Sequence, residues 1–339
     1  MSLEQNCSVS QYITSALYSA REGSEEVERS GGSVPRGSTG VGEQIVAALI
    51  CQSLSHPLDT RQNCIVFFTV DTEQFCLVLK EGEDMNESIN TKRLNGKNVV
   101  VIGGSKGVGR AIVAAAHAQG AQVLAVARQE EPLFKLADSF SGVHILGLDA
   151  TDESAPAKVF ETLAPDVLVV CGGAIPHTAP LGEQSWEQFS RNWNSDVKMS
   201  LLFSQAALAT PLASGTTIIL ISSGAAVGGS PMSGGYAGSK RTQMFIAHYA
   251  QQESDRRNLG LRFLALAPGG VMPGTDLGKA AVSAYADYLG IDAKEFIKGI
   301  PSPQTPKDVA NAVVEFASNP TSRDGNVFLV SGKGIETLS

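Results

Sequence analysis

The stretch VVVIGGSKGVGRAIV, residues 99–113, decides the fold of this chain. An unbroken apolar run leads into a loop that contains Gly103, Gly107 and Gly109, and a helical pattern follows. Apolar runs without alternation are typical of strands in a parallel sheet, where helices cover both faces. Glycine is required where the backbone turns sharply and where a bulky anion approaches it, and the next helix N-terminus then faces that anion. The stretch therefore predicts a strand, a phosphate-binding loop and a helix.

The same strand-then-helix pattern continues towards the C-terminus. Further apolar runs alternate with helical segments, and they are AQVLAVA (121–127), VHILGLD (143–149), PDVLVVCGGA (165–174), TTIILISS (216–223), LRFLALAP (261–268) and NVFLVSG (326–332). One longer helical stretch is predicted over about 183–212. Strands and helices that alternate in this way specify an α/β fold, a Rossmann-type doubly wound parallel sheet. Ligands of such a sheet bind at the carboxyl ends of its strands.

Residues 1–95 differ in composition from residues 96–339, so we expect an N-terminal extension followed by the sheet domain. The segment 21–40 is rich in Gly, Ser and charge, which predicts partial disorder. Within residues 41–85 a helical pattern precedes two β-rich runs around DTEQ. This order predicts a small α+β unit that ends in a hairpin.

Charge and hydropathy exclude several classes of function. The chain carries a formal charge of -8, so no basic face is expected to bind nucleic acid. Its apolar runs fall short of the roughly 20 residues that a membrane helix needs, so we expect no membrane partner. The opening MSLEQNCS lacks the pattern of a secretion signal. We therefore expect a cytoplasmic protein with a small-molecule substrate, and the spacing of the cysteines predicts no zinc site.

A second stretch, SSGAAVGGSPMSGGYAGSK (222–240), combines three reactive side chains. Tyr236 and Lys240 are four residues apart on a predicted helix, so they project from one face. An ammonium beside a phenol is expected to lower the pKa of that phenol from about 10. Ser223 follows a strand at the carboxyl edge of the sheet, where its hydroxyl would hold a carbonyl oxygen. The stretch predicts a proton-transfer site.

Over residues 97–335 the chain resembles the short-chain dehydrogenase/reductase family. The family's glycine motif, T-G-x-x-x-G-x-G, matches IGGSKGVG except that Ile102 replaces the threonine. Its S…Y-x-x-x-K motif falls on Ser223, Tyr236 and Lys240. The resemblance implies that Tyr236 is the general acid/base, that Ser223 orients the substrate oxygen, and that Lys240 also binds the nicotinamide ribose. It also implies a homodimer or homotetramer.

Basic residues near the glycine loop favour NADP(H) as the cofactor. NAD enzymes usually place an acidic residue at the end of the second strand, where it binds the ribose 2′-hydroxyl. Here Arg128 follows that strand, and Lys106 lies in the glycine loop. A guanidinium can hold a 2′-phosphate through two hydrogen bonds. Asp149, after the third strand, either contacts the adenine amino group or caps the next helix.

A segment after the sixth strand, LALAPGGVMPGT (264–275), resembles the family's P-G-x-V-x-T. The resemblance implies that the backbone of Val271 binds the nicotinamide carboxamide. Pro273 stands where threonine is usual, and Thr275 follows two residues later. The residues expected to bind the cofactor are Gly103, Ser105, Lys106, Gly107, Val108, Gly109, Arg128, Asp149, Gly172, Gly173, Tyr236, Lys240, Pro268, Gly269 and Val271.

Two positions depart from the family pattern. After the fourth strand, CGGA (171–174) replaces N-N-A-G, which keeps small residues beside the cofactor but loses the asparagine hydrogen bonds. Asp196 aligns with the fourth catalytic residue, which in the family is an asparagine that supports a water-linked proton relay with the lysine. Asp196 either pairs with Lys240 or leaves the relay weaker. Asn194 would align with the family's catalytic asparagine only if the alignment were shifted by two residues.

Together these features predict an NADP(H)-dependent oxidoreductase that transfers a hydride between nicotinamide and a carbonyl or secondary alcohol substrate. The alternative is a catalytically weakened NADP-binding regulatory or scaffold protein of the same fold, which the two departures motivate. Tyr285 and Tyr288, in the variable segment, either line an apolar substrate site or pack as ordinary helix aromatics. The sequence identifies neither the substrate nor the direction of the reaction.

Overall fold

The computed structural model describes the backbone of residues 65–71 and 74–80, and backbone and side chains of residues 92–300 and 304–338. The segment 21–40, predicted to be partly disordered, lies outside these ranges. So does the helical pattern that begins at residue 41.

Two strands form an antiparallel hairpin in the N-terminal extension. β1 (Ile65–Asp71) pairs with β2 (Gln74–Lys80), in a register that sets Ile65 opposite Lys80. Both strands consist largely of β-branched, aromatic and aliphatic residues, which suit a pleated backbone. The hairpin predicted from the two β-rich runs is therefore confirmed.

Eight further strands form one sheet. They are β3 (Asn98–Ile102), β4 (Gln122–Ala127), β5 (His144–Gly147), β6 (Val167–Val170), β7 (Thr217–Ile221), β8 (Arg262–Pro268), β9 (Val327–Ser331) and β10 (Gly334–Thr337). Their order across the sheet is β10-β9-β8-β7-β6-β3-β4-β5, and all are parallel except β10, which pairs antiparallel with β9. The predicted Rossmann-type sheet is confirmed, with an edge strand, β10, that the sequence did not predict.

Helices connect the parallel strands. They are α1 (Gly107–Ala118), α2 (Glu130–Ser139), α3 (Ala155–Thr162), α4 (Trp186–Asn192), α5 (Lys198–Ala209), α6 (Ala225–Gly228), α7 (Gly234–Arg256), α8 (Asp276–Leu289), α9 (Ala293–Lys298) and α10 (Pro306–Ser318). A π-helical turn, Trp193–Val197, joins α4 to α5, so most of the stretch predicted over about 183–212 is one helical run. In the described part of the chain, none of the helices combines the length and the apolar character that a bilayer crossing requires.

Alternate residues of the central strand fill two separate cores. Val99 and Val101 of β3 belong to the core that α1, α2 and α10 cover, whereas Val100 and Ile102 belong to the core under α3, α5 and α7. All four side chains are at most 1% exposed. Burial of one such side chain stabilises the fold by about 1.5–3 kcal/mol. The apolar run that opens the glycine motif is therefore fixed between two layers of helices.

The strand order reverses between β3 and β6. From β3 the chain builds β4 and β5 on one side, and it then crosses over to build β6 and the later strands on the other. A reversal of this kind opens a crevice at the carboxyl ends of the two strands. The glycine loop follows β3 and the CGGA loop follows β6, so both predicted loops lie at this crevice.

Candidate active site

Four loops meet at the carboxyl edge of the sheet. The glycine loop approaches the CGGA loop so closely that a Cβ on Gly103 would lie 2.6 Å from the Cα of Gly172. On the other side, the backbone N–H of Gly224 donates to the carbonyl of Pro268 at 2.7 Å. A Cβ on Gly224 would lie 2.9 Å from the Cα of Gly269. Small residues therefore bring the ends of β3, β6, β7 and β8 together.

The glycine loop has the conformation that only glycine adopts without strain. Gly103 and Gly107 have φ of +82° and +51°, which places both in the left-handed region. A Cβ on Gly109 would lie 2.0 Å from the carbonyl oxygen of Gly103. Ser105 and Lys106 form the rim of the loop, and α1 begins immediately after them. The loop thus presents backbone and a helix N-terminus to the crevice, with Val108 half-buried in the first turn of α1.

A cavity of about 800 Å³ lies beside this loop. Its lining includes the basic residues Lys106, Arg110 and Lys135. Lys106 and Arg110 donate to neutral side chains, whereas Lys135 pairs with the Glu131 carboxylate at 2.6 Å. Glu130, Glu131 and Asp276 also line the cavity, so its formal charges balance, and it is the neighbouring helix N-terminus that suits a phosphate. The residues present therefore fit a dinucleotide whose phosphates rest on the glycine loop.

Arg128 and Asp149 face one another at the end of β4. Their nearest charged atoms, Nη1 and Oδ2, are 3.9 Å apart, and both side chains are about half exposed or more. The backbone and side chain of Thr151 donate to Asp149, and together with Arg128 they hold the pKa of this carboxyl below its ordinary value. Asp149 thus stabilises the turn at Thr151, whereas α3 begins only at Ala155. Of the two roles left open, it does not cap the helix.

Tyr236 and Lys240 lie on the first two turns of α7, as their spacing predicted. The ammonium of Lys240 is 5.6 Å from the centre of the Tyr236 ring. The neighbouring Ser222 hydroxyl donates to the backbone carbonyl of Lys240 at 2.7 Å, which ties the end of β7 to this helix. Ser223 follows directly and comes close enough to Tyr236 to affect its ionisation. The structure therefore brings Ser223, Tyr236 and Lys240 together.

Lys240 forms a buried ion pair with Asp196. Its Nζ lies 2.9 Å from Asp196 Oδ1 and donates to the carbonyl of Ile221 at 3.0 Å. The two residues are only 5% and 1% exposed. Removing one partner of such a pair leaves an uncompensated buried charge, which costs about 3–5 kcal/mol. Of the two alternatives that the sequence left open for Asp196, the structure shows the direct pair.

The π-helical turn directs Asp196 inward. Its Oδ2 accepts hydrogen bonds from the backbone N–H of Ala174 at 3.1 Å, from Asn192 Nδ2 at 3.1 Å and from the Ser195 hydroxyl at 2.6 Å. Such turns often occur at functional sites, because the extra residue redirects the side chains. Asn194 is exposed whereas Asp196 is buried, so an alignment shifted by two residues, with Asn194 in the catalytic position, does not fit this structure.

The pKa of Tyr236 is raised above 10, so the expectation that it would be lowered is wrong for this structure. Burial is the main cause. Lys240 and Ser223 oppose it, but the charge of Asp196 raises the pKa again, as Cys171 does more weakly. Burial alone would lower the pKa of Lys240, yet Asp196 and Tyr236 together raise it. Burial also raises the pKa of the Cys171 thiol to about 12, which leaves it protonated and unreactive.

Comparison with known proteins identifies the family. A family model described as short chain dehydrogenase matches residues 97–286, more than half of the chain. The chain belongs to the short-chain dehydrogenase family. The matched region begins at β3 and runs into α8, so it contains the glycine loop, Asp196 and the Ser223, Tyr236 and Lys240 group.

Several curated relatives are about one third identical to the chain. An L-xylulose reductase of Bos taurus is 30% identical over 129 residues, which is 38% of this chain and 53% of the relative. A short chain dehydrogenase/reductase of Aspergillus aculeatus is 31% identical over 184 residues, covering 51% and 63%. A 2,5-dichloro-2,5-cyclohexadiene-1,4-diol dehydrogenase of Sphingobium indicum is 32% identical over 191 residues, covering 52% and 74%. The chain spans about half the length of the L-xylulose reductases that it matches.

The loop after β8 differs from the family pattern but still returns to the glycine loop. Val271 is half-buried in this loop, three residues beyond Pro268. Thr275 caps α8 by accepting from the Gly278 N–H, and its methyl group would lie 3.7 Å from a Cβ on Gly107. Thr275 therefore stands across from the glycine loop, although Pro273 occupies the family's threonine position.

The variable segment of this family member contacts the catalytic helix through Tyr285. The Tyr285 hydroxyl hydrogen-bonds Ser230, which in turn hydrogen-bonds Ser233 at the start of α7. Its ring stacks on Phe296 of α9, with ring centres 5.9 Å apart. Tyr288 is 53% exposed. Tyr285 thus holds α8 and α9 against the catalytic helix, and Tyr288 packs at the surface.

Sequence reasoning missed the polar residues that support the site. Asn192 donates to the carbonyl of Ala174 at 2.7 Å as well as to Asp196, and the Ser200 hydroxyl donates to the carbonyl of Asp196 at 2.8 Å. Gln304 donates to the Val330 carbonyl and accepts from the backbone of the loop after β8. One signal was available: polar residues at 192, 196 and 200 recur every four positions, which places them along one side of a helix.

Proposed function

We propose that the protein is an NADP(H)-dependent oxidoreductase that transfers a hydride between nicotinamide and a carbonyl or secondary alcohol substrate. The single observation that carries this is the group of Ser223, Tyr236 and Lys240 beside the glycine loop at the carboxyl edge of the sheet. A bound nicotinamide dinucleotide supplies or accepts the hydride. The side chains of this chain move the proton and orient the substrate.

Tyr236 is the group that exchanges a proton with the substrate oxygen. Its phenol is half-buried, and the Ser223 hydroxyl stands beside it to hold the same oxygen. Lys240 has three N–H donors, of which Asp196 and the Ile221 carbonyl take two. The third donor is available for a ribose hydroxyl. Lys240 thereby fixes the position of the nucleotide relative to Tyr236.

The choice of NADP(H) over NAD(H) rests on charge. The end of β4 carries Arg128 instead of a carboxylate, and Lys106 stands on the rim of the cavity beside the glycine loop. Arg128 is loosely paired and exposed, so it can turn towards a 2′-phosphate at little cost. Glu130, Glu131 and Asp276 also line this cavity, and Glu131 is paired with Lys135, so the preference rests on Arg128 and Lys106 and not on the charge of the cavity as a whole.

The substrate class follows the names of the relatives. One is a reductase of L-xylulose and another is a dehydrogenase of a cyclic diol. Both names indicate exchange between a carbonyl and an alcohol, and we propose the same exchange here. A regulatory or scaffold role is not favoured, because Asp196, one of the two departures from the family pattern that suggested it, is hydrogen-bonded and paired with Lys240.

We further propose that the protein is cytoplasmic and forms a homodimer or homotetramer. Aromatic side chains are exposed on α4 and α7, among them Trp186, Phe245 and Tyr249. Phe245 and Tyr249 stack on each other with ring centres 6.1 Å apart. Pairing of such a face with a second copy would remove apolar surface from water.

The test of the function is turnover of NADPH with a panel of ketones and sugars by the wild type and Tyr236→Phe. Loss of the proton donor should lower kcat by about 10²- to 10⁴-fold. Tyr249→Phe is the matched control, since it removes the hydroxyl of an exposed tyrosine on the same helix. Equal turnover by Tyr236→Phe and the wild type would contradict the assignment.

A further inference from the structure

We propose, on the basis of the function above, that Asp196 is a positioning residue that extends carbonyl reduction by this site to higher pH. It holds Lys240 in a neutral ion pair, so that Tyr236 stays a phenol that gives a proton and does not readily become a phenolate that takes one. The family's asparagine would leave the ammonium uncompensated at the same place.

The carboxylate is anchored in a single orientation. One oxygen, Oδ2, is held by Ala174, Asn192 and Ser195, which leaves Oδ1 to face Lys240 at 2.9 Å. A Cβ on Gly173 would lie 2.6 Å from Oδ1, so the CGGA loop packs directly on the carboxylate. The glycine at 173 is therefore matched to the aspartate at 196.

The charges around the phenol partly offset each other. Three titratable groups act on Tyr236: Lys240 from its own helix, Asp196 from the π-helical turn, and Cys171 from the loop after β6. The Cys171 thiol is neutral, because burial raises its pKa to about 12. The carboxylate offsets part of the effect of the ammonium, so a phenolate in this half-buried site is less fully compensated than it would be beside Lys240 alone. Burial is the main cause that raises the pKa of Tyr236, and the charge of Asp196 adds to it.

The two directions of the reaction require opposite forms of Tyr236. In reduction, the hydride adds to the carbonyl carbon and the phenol O–H bond breaks to protonate the carbonyl oxygen. The dinucleotide is oxidised, the substrate becomes an alcohol, and the phenolate recovers its proton from water. In oxidation, the phenolate must take the alcohol proton first. A site that disfavours the phenolate therefore keeps the form that reduction needs up to a higher pH, and it populates the form that oxidation needs only at high pH. The ratio of the two kcat/KM values at a given pH is fixed by the equilibrium constant of the reaction and does not depend on Tyr236.

The deciding measurement is the titration of Tyr236 in the cofactor-free protein, followed by the near-ultraviolet absorbance of tyrosinate. For the wild type, the titration of Tyr236 is obtained by subtracting the absorbance curve of Tyr236→Phe. For Asp196→Asn, it is obtained by subtracting the curve of the double variant that carries both Asp196→Asn and Tyr236→Phe. We expect Asp196→Asn to titrate at a pH lower by about one unit or more, because the ammonium is then uncompensated. Glu315→Gln is the control, since it removes the carboxylate of a surface pair with Arg323.

Kinetic profiles give the second readout. In the wild type, alcohol oxidation should rise about tenfold per pH unit from neutral pH upwards, as the phenolate fraction does below its pKa. In Asp196→Asn this rise should end at a lower pH, and ketone reduction should decline from that same pH.

An unchanged Tyr236 titration in Asp196→Asn would overturn the inference. If Asp196→Asn does not fold, the titration of the wild type tests the inference instead. The inference is overturned if Tyr236 of the wild type titrates at a lower pH than the exposed tyrosines do. The absorbance titration needs no turnover, so it separates this inference from the proposed function: absence of ketone reduction by the wild type rejects only the latter.

Discussion

Lys106 and Arg128 make only weak contacts with their neighbours, and a phosphate could replace these contacts. Lys106 donates to the Gln129 amide at 2.9 Å, and Arg128 lies 3.9 Å from Asp149 with 67% of its side chain exposed. Exposed contacts of this kind contribute about 0–1 kcal/mol. A hydrogen bond between charged groups contributes about 1.5–3 kcal/mol, so both residues gain by turning to a 2′-phosphate.

We predict that Lys106→Ala and Arg128→Ala each raise KM for NADPH by about 10- to 100-fold and leave KM for NADH nearly unchanged. The reason is that only NADPH carries the phosphate these residues would bind. Steady-state kinetics with both dinucleotides checks this. Arg257→Ala, which removes an exposed cation of α7's C-terminal end, serves as the control. Equal losses with NADPH and NADH would contradict a phosphate contact.

At the residue scale, spacing predicted which side chains meet but not how they ionise. Tyr236 and Lys240 were predictable because a helix fixes the relation between residues four apart. The pair between Asp196 and Lys240 joins residues 44 positions apart on different elements, so only the folded chain determines its distance. The direction of the Tyr236 pKa depends on burial, which a motif does not contain.

The glycine loop and the CGGA loop act as one element, because Gly103 has no room for a side chain where they touch. Gly103 and Gly142 both have φ above +80°. A Cβ on Gly103 would collide with the backbone of Gly172, whereas a Cβ on Gly142 would meet no atom within 4 Å. The two positions therefore separate the cost of backbone strain from the cost of collision.

We predict that Gly142→Ala lowers stability by about 1–2 kcal/mol and leaves cofactor binding intact, since it adds only left-handed strain. Gly103→Ala should lower stability further and abolish binding, because the two loops must move apart. Thermal unfolding with and without NADPH measures both effects, since a ligand that binds the native state raises Tm. A normal NADPH-induced rise in the Tm of Gly103→Ala would refute the close-packing account.

At the scale of elements, the order of strands and helices was predictable and two details were not. Each parallel strand is an unbroken apolar run, which made it visible. The π-helical turn adds one residue to a helical run that otherwise keeps its pattern, so periodicity does not reveal it. β10 is a short edge strand, with mostly exposed residues, after a tight turn, and such a strand has little apolar signature.

The whole molecule presents an aromatic face on α7. Phe245 and Tyr249 are 45% and 61% exposed, and Arg241 lies over the Phe245 ring at 5.3 Å. Aromatic residues and arginine are enriched at the centres of protein interfaces. This composition suits self-association better than it suits a surface in contact with water.

We predict that the wild type is a homo-oligomer and that Phe245→Lys shifts it towards the monomer, because a charge in the interface is left without a partner. Light scattering coupled to size-exclusion chromatography measures the mass. Phe134→Lys places the same charge at another exposed aromatic, on α2, and should leave the mass unchanged. A monomeric wild type, or an unchanged Phe245→Lys, would count against this face.

The strand order has a consequence for how the sheet is assembled during synthesis. Apart from the central β3, every strand of the eight-stranded sheet pairs with one that precedes it in the chain: β4 with β3, β5 with β4, β6 with β3, and each later strand with the one before. As the chain leaves the ribosome, each new strand thus finds its template already made, and no strand waits for a partner still to be translated. The antiparallel β10 pairs last of these eight strands and becomes the edge itself, and because it is short and mostly exposed it is a poorer template for neighbouring nascent chains than β9 would be.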